Sequence, residues 1–142
     1  MLRTCRQCGA QNRVPAKFLA KQGKCGACQA ALPPVDSPID VDVGAFEELV
    51  AEAKVPVLVD FGASWCGPCR TAAPEVSKVA REKAGSAIVL KVDTDRYPQL
   101  AQRFNVQGIP NFVVFRDGKP VFQRAGLARS ADMSAWLTKQ SG

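Results

Sequence analysis

A chain of 142 residues has room for one ordinary domain and a small appendage, and no apolar run approaches the ~20 residues that a membrane-crossing helix requires. The net charge of +6 is unevenly placed: Arg3, Arg6, Arg13, Lys17, Lys21 and Lys24 fall within residues 1–34 with no acidic residue among them, while the remaining 13 basic and 13 acidic residues cancel. The basic residues near Met1 have no apolar core of ~7–15 residues behind them, which argues against a secretory leader and makes a cytoplasmic location the expectation.

Cys5-x-x-Cys8 and Cys25-x-x-Cys28 are separated by 16 residues, inside the spacing of a four-thiolate zinc site. Each pair can wrap one side of an ion as a tight turn, with Gly9 and Gly26 supplying the backbone freedom. About 30 residues bury too little apolar surface to fold unaided, so metal would supply most of the folding energy. Four thiolates around a divalent cation carry a net negative charge that part of the basic excess offsets. Two disulfides, or four free thiols, would use the same residues. A basic zinc segment could also dock nucleic acid or an acidic partner. Phe18 is the one aromatic residue in 1–34, which weakens any mode that stacks bases.

Residues 1–32 therefore read as a zinc-binding segment, 33–38 as a proline-rich linker through Pro33, Pro34 and Pro38, and 39–142 as a second domain. Ile39–Val41 reads as a short strand. Asp42 is placed to cap a helix carrying Phe46, Leu49 and Val50 on one face. Val57–Phe61 is apolar except for Asp60, as in a central strand covered on both faces. Ala72, Ala73, Val76, Val79 and Ala80 recur at helical spacing, with Pro74 expected to kink that helix and Gly85 to end it. Residues 87–92 read as a strand, 97–104 as a short helix and 111–115 as a strand. Asp117-Gly118 marks a hairpin turn, and Ser130 is the expected cap of a final helix with Met133, Trp136 and Leu137. Strands alternating with helices and ending in a hairpin imply an α/β domain with a central mixed sheet flanked by helices.

Between the central strand and the long helix lies Trp65-Cys66-Gly67-Pro68-Cys69-Arg70. Two cysteines with two residues between them at a strand-to-helix junction can close a small disulfide ring with the first sulfur at the helix N-terminus, where unpaired N–H groups favour a thiolate. Cys66, nearer the helix start and solvent, reads as the nucleophile. Cys69, one turn inside and expected to be less exposed, reads as the resolving thiol. Asp60 would lie beneath them. The bland alternative is a surface carboxylate on a frayed strand, but Val57, Leu58, Val59 and Phe61 around it favour burial. As a desolvated carboxylate it would have a raised pKa and could take a proton from Cys69.

With Asp60 six residues ahead and Gly108-Ile109-Pro110 behind, this motif resembles thioredoxin over roughly residues 38–140. The four-cysteine segment ahead of it resembles the bacterial thioredoxin 2 type. The resemblance implies a thioredoxin fold preceded by a zinc-ribbon-like segment, one Zn2+, a redox-active Cys66–Cys69 disulfide, and a monomeric protein-disulfide reductase. It also implies a lysine, Lys91, near Asp60, although an exposed strand-end lysine would look the same in sequence. A substrate groove flanked by Trp65, Gly67, Pro68, Ile109, Pro110 and Gly126 follows from it, with a cis bond before Pro110. Implied partners are a thioredoxin reductase and disulfide-containing proteins such as peroxiredoxin, methionine sulfoxide reductase and ribonucleotide reductase. The chain has no His, so no imidazolium between the cysteines makes the pair a stronger oxidant, which favours reduction of substrates. Gly62 stands where the family usually has Trp, and Asn111 where Thr is usual. Oxidation of either N-terminal cysteine pair would expel the ion, and a linker at 33–38 would leave the α/β domain folded.

Overall fold

The computed structural model describes residues 1–141. The N-terminal segment is two small antiparallel hairpins, β1 (Leu2–Thr4) with β2 (Gln11–Arg13) and β3 (Gly23–Lys24) with β4 (Ala31–Leu32). The turns are equivalent: Cys5 N–H donates to Ala10 O and Gly9 N–H to Cys5 O in the first, Cys25 N–H to Ala30 O and Gln29 N–H to Cys25 O in the second. Both need a left-handed residue just past the second cysteine. Gly9 fills that position in one knuckle at φ +76°, but Gln29 fills it in the other at φ +66°. The freedom expected of Gly26 is therefore unused.

The remainder is a three-layer α/β unit. A five-stranded mixed sheet has the order β5 (Ile39–Asp40), β7 (Ile88–Asp93), β6 (Val57–Gly62), β8 (Asn111–Arg116), β9 (Lys119–Ala125). β5, β7 and β6 run parallel, while β8 is antiparallel to both of its neighbours. Asp117 and Gly118 both take positive φ in the β8–β9 turn, as the right-handed twist of a hairpin favours. Asp42 caps α1 (Val43–Glu52), its Oδ1 accepting from Ala45 N–H at 2.8 Å. Strand alternation divides the core. Val57, Val59, Phe61, Ile88, Leu90 and Val113 pack with α1 and with Leu100 of α3 (Pro98–Arg103). Leu58, Val89, Phe112 and Val114 pack with α2 (Gly67–Glu82) and α4 (Ser130–Lys139). Asp60 and Gly62 share parity with Leu58 and so fall on the α2 side.

Helix α2 runs through Pro74 and stops at Glu82, with Gly85 just beyond at φ +89°. Ser130 is not the cap of α4. It is the first helical residue, it is buried, and its N–H is taken by Glu75 Oε1 of α2 at 3.2 Å; Arg129 holds the cap position, with Asp132 Oδ2 accepting from its N–H.

The proline-rich stretch read as a linker is packed. Val35 is buried and its N–H donates to Leu19 O at 3.0 Å. Together with Ala16, which opens a 3-10 turn at Ala16–Phe18, and Leu19, which follows it, Val35 belongs to the same cluster as Val41, Phe46 and Leu49. Fully burying a leucine side chain contributes about 1.5–3 kcal/mol, so the zinc-segment side of the chain adds to the α1 face of the domain. The N-terminal segment keeps a small centre of its own in Cys5, Cys25 and Leu32.

Candidate active site and metal centre

β6 ends at Gly62 and α2 begins at Gly67, which places Cys66 at the helix N-cap, where its Sγ accepts the Cys69 N–H at 3.1 Å. This side chain takes one of the N–H groups that a helix start leaves without a partner. Cys66 and Cys69 form a disulfide with their Cα atoms 5.2 Å apart. Across from them the Ile109–Pro110 bond is cis, and the Ile109 carbonyl oxygen lies 3.8 Å from Cys66 Sγ. Gly126, at φ +96°, donates its N–H to Pro110 O at 2.8 Å and ties the loop after β9 to the cis-proline turn. Trp65 is 66% exposed, its indole N–H donating to Asp95 Oδ2 at 2.7 Å. Gly67 and Pro68 are exposed and Ile109 half-buried, so these residues form a surface around the disulfide. Asn111 is buried, its Oδ1 accepting from Gln123 Nε2.

The burial of the two cysteine residues is the reverse of the sequence expectation. Cys66 is 3% exposed, whereas Cys69 is half-buried. The cause is a cleft of about 230 Å3 beneath the dithiol, whose walls include Asp60, Gly62, Cys69 and Lys91. Without a side chain at residue 62, nothing covers Cys69 from that side.

Asp60 is 5% exposed, and among the described residues its Oδ1 has no hydrogen-bond partner. Burial raises its pKa from 3.8 to about 6, with the nearby Lys91 ammonium pulling the other way. Strand register explains the neighbourhood. Lys91 pairs with Asp40 on one side and with Asp60 on the other, so carboxylate, ammonium and carboxylate stand in one row across β5, β7 and β6. Asp40, Arg70 and Asp93 also line the cleft, and none of the three was singled out from the sequence. Asp40 and Asp93 come in from strands β5 and β7, whose placement across long crossovers leaves no local signal, whereas Arg70 comes from the first turn of α2 beside Cys69.

At the N-terminus the Sγ atoms of Cys5, Cys8, Cys25 and Cys28 all lie within 4.8 Å of one another, with Cys5–Cys28 and Cys8–Cys25 each at 3.7 Å. A tetrahedron of sulfurs about 2.3 Å from a central zinc has edges of about 3.8 Å, so this donor set fits the ion. Its surroundings favour ionised sulfur in part: the Cys28 N–H, then the Asn12 amide and the Ala27 N–H, hold the Cys25 thiol down to about 6. Cys28 differs. The Ala30 N–H would lower it, but partial desolvation and the sulfurs of Cys8, Cys5 and Cys25 push it up to about 12. Four sulfurs this close cannot all be anionic without a cation among them.

The family model described as thioredoxin matches residues 37–139, and that described as "Thioredoxin 2, N-terminal" matches residues 4–30. Thioredoxin C-3 of Corynebacterium nephridii is 36% identical over 140 residues, covering 99% of this chain and 95% of its own. Thioredoxin 1 of a Nostoc species is 40% identical over 94 residues, covering 66% of this chain and 88% of its own. Among solved structures, a mutant thioredoxin from Halobacterium salinarum superposes with a TM-score of 0.70 at 30% identity, covering 75% of this chain and 93% of the other. Chloroplastic thioredoxin z gives 0.67 at 30% identity, covering 72% and 93%. The chain thus belongs to the thioredoxin family, a protein-disulfide oxidoreductase with a redox-active cysteine pair behind a zinc-ribbon segment.

Proposed function

We propose that this chain reduces disulfides in other proteins with Cys66 as the attacking thiolate and Cys69 as the resolving thiol. The observation that carries this division of roles is the Cys69 N–H aimed at Cys66 Sγ from 3.1 Å at the first turn of α2, since a donor and the positive end of the helix dipole favour ionised sulfur. The Cys66 thiolate attacks a target disulfide, and the target's first sulfur leaves as a thiolate. Cys69 then attacks Cys66 Sγ, the target's second sulfur leaves, and the Cys66–Cys69 disulfide closes. Asp60 takes the Cys69 proton through a water in the cleft, and Lys91 moderates its basicity. An extended target segment lies between Trp65, Gly67 and Pro68 on one side and Ile109, Pro110 and Gly126 on the other.

A thioredoxin reductase restores the dithiol, and peroxiredoxins, methionine sulfoxide reductases and ribonucleotide reductase are the targets that the family resemblance supplies. No helix among the described residues is long and apolar enough to cross a membrane. The cytoplasm, where thiols are kept reduced and free to bind metal, is the compartment this reading assigns, and the protein acts there as a monomer. These four cysteines hold one Zn2+, which contributes folding energy to the segment. Closing either pair as a disulfide removes two ligands and makes the segment redox-sensitive. The test of the division of roles is trapping: Cys69→Ser should accumulate a mixed disulfide with a target protein and Cys66→Ser should not. The opposite pattern would reverse the roles.

A further inference from the structure

The cleft beneath the dithiol is lined by Cys69, a residue whose access from this side the exchange cycle does not require. An atom placed where a Cβ of residue 62 would stand lies 3.2 Å from Cys69 Sγ and 3.8 Å from Asp60 Oδ1. Glycine therefore leaves a reactive sulfur and an unpartnered, buried carboxyl oxygen facing the same space. At about 230 Å3 the cleft is smaller than the roughly 300–1,000 Å3 of pockets for drug-sized ligands. It has room for several waters or for one molecule of amino-acid size, not for a segment of a folded protein. Its walls carry both signs, with Asp40, Asp60 and Asp93 against Lys91 and Arg70, and none of these is in an ion pair among the described residues.

We propose that this cleft admits a small zwitterionic aminothiol of cysteine size, whose sulfur exchanges directly with Cys69. The proposal rests on the dithiol reading given above and adds a second entrance to it. In the oxidised protein the incoming thiolate bonds to Cys69 Sγ, the Cys66–Cys69 bond breaks, and Cys66 leaves as a thiolate. A second aminothiol thiolate attacks the first one's sulfur, releasing the small disulfide and freeing Cys69 as a thiolate. Two thiols lose two electrons, the protein disulfide gains them, and the thiols' protons end on Cys66 and Cys69. Accessibility and leaving-group chemistry select the same sulfur. Cys69 lines the cleft and is half-buried where Cys66 is buried, and attack on it expels Cys66, whose thiolate the Cys69 N–H stabilises; the thiol of lower pKa leaves faster. A bound zwitterion would set its ammonium against Asp60 and its carboxylate against Lys91 or Arg70, which selects amino-acid-like thiols over neutral ones.

The reverse exchange tests this most directly. In the full-length, reduced Cys66→Ser protein Cys69 is the lone active-site thiol, and incubation with cystine should add one half-cystine to it, located by peptide mass mapping. The same reaction in a Gly62→Trp, Cys66→Ser protein should be slower by about tenfold or more, equivalent to closing the approach by about 1.4 kcal/mol. A disulfide-linked peptide dimer too large for the cleft should also react far more slowly than cystine at Cys69, a comparison that needs no change at residue 62 and so holds even if the tryptophan variant does not fold. Absence of cystine addition at Cys69, equal rates for cystine and the peptide dimer, or equal rates with and without Gly62→Trp in folded protein would each overturn the proposal. Failure of the dithiol reading would appear elsewhere, as a Cys69→Ser protein that traps no target.

Discussion

The backbone N–H of Val35 donates to the carbonyl oxygen of Leu19 at 3.0 Å, and both side chains are buried in the cluster that packs on α1. This pair joins the zinc segment to the catalytic domain. It replaces a tether with a shared core, so the stability of the two parts is coupled.

Leu19→Ala should lower the unfolding free energy of the α/β domain by about 2–5 kcal/mol, the cost of emptying a fully buried leucine site. Trp65 and Trp136 both lie in that domain, so tryptophan fluorescence during denaturant unfolding reads it without contribution from residues 1–34. An unchanged midpoint would mean that the segment docks without supporting the domain. A chain beginning at Ser37 should for the same reason be less stable than the full chain.

Metal analysis should give about one zinc per chain, because four thiolates close a tetrahedral site. The content should stay the same in a Cys66→Ala, Cys69→Ala protein and fall when any of Cys5, Cys8, Cys25 or Cys28 is replaced by alanine. Zinc lost from the active-site variant would place the ion at the dithiol instead. Chelation should also lower the tryptophan-reported midpoint, since Ala16 and Leu19 leave the shared cluster if their segment unfolds.

The two knuckles make the same backbone demand but meet it with different residues, Gly9 and Gln29. Gly9→Ala should weaken zinc retention by about 1 kcal/mol, the cost of a side chain in the left-handed region at φ +76°. Gln29→Gly should strengthen it by a similar amount, relieving the same cost at φ +66°. Gly26→Ala should be nearly neutral, because its Cβ would meet only Asn12 Oδ1, at 3.8 Å. Competition with a chromophoric chelator orders the three variants.

Asp60→Asn should change both stability and rate, each with its own pH dependence. Burial raises the Asp60 pKa from 3.8 to about 6, so between those values the folded protein holds a proton that the unfolded chain has released. Native stability therefore falls as pH rises through about 4 to 6 and the loss is complete above that window, about 3 kcal/mol for a shift of about two units. The asparagine variant lacks this term. It should match the parent near pH 4 and exceed it by up to about 3 kcal/mol at pH 7 and above. Its turnover should nonetheless be slower, most clearly between about pH 6 and 8, where Asp60 is ionised and Cys69 still needs a proton acceptor. Equal rates for both proteins across pH 6–9 would remove Asp60 from the mechanism, and a stability difference independent of pH would remove its ionisation from the energetics.

Whatever depends on neighbours in the chain was legible in the sequence. The two Cys-x-x-Cys pairs, the strand-to-helix placement of Cys66 and Cys69, the Asp42 cap and the Asp117-Gly118 turn are each specified within a few residues, because capping, turn geometry and ring closure are local physics. The buried run of β6 followed from composition alone, and with it the position of Asp60. Tertiary structure decided what depends on residues far apart. Pro33, Pro34 and Pro38 read as a linker, yet Val35 is buried because Leu19 and α1 meet it there. Ser130 has the chemistry of a cap, but Glu75, 55 residues away, takes its N–H. The row of Asp40, Lys91 and Asp60 exists only once three strands align in parallel register. The exposure of Cys69 over Cys66 was decided in the same way. Position in a helix orders two sulfurs along the chain, but solvent access depends on what covers them in space, and at Gly62 there is no side chain to do so.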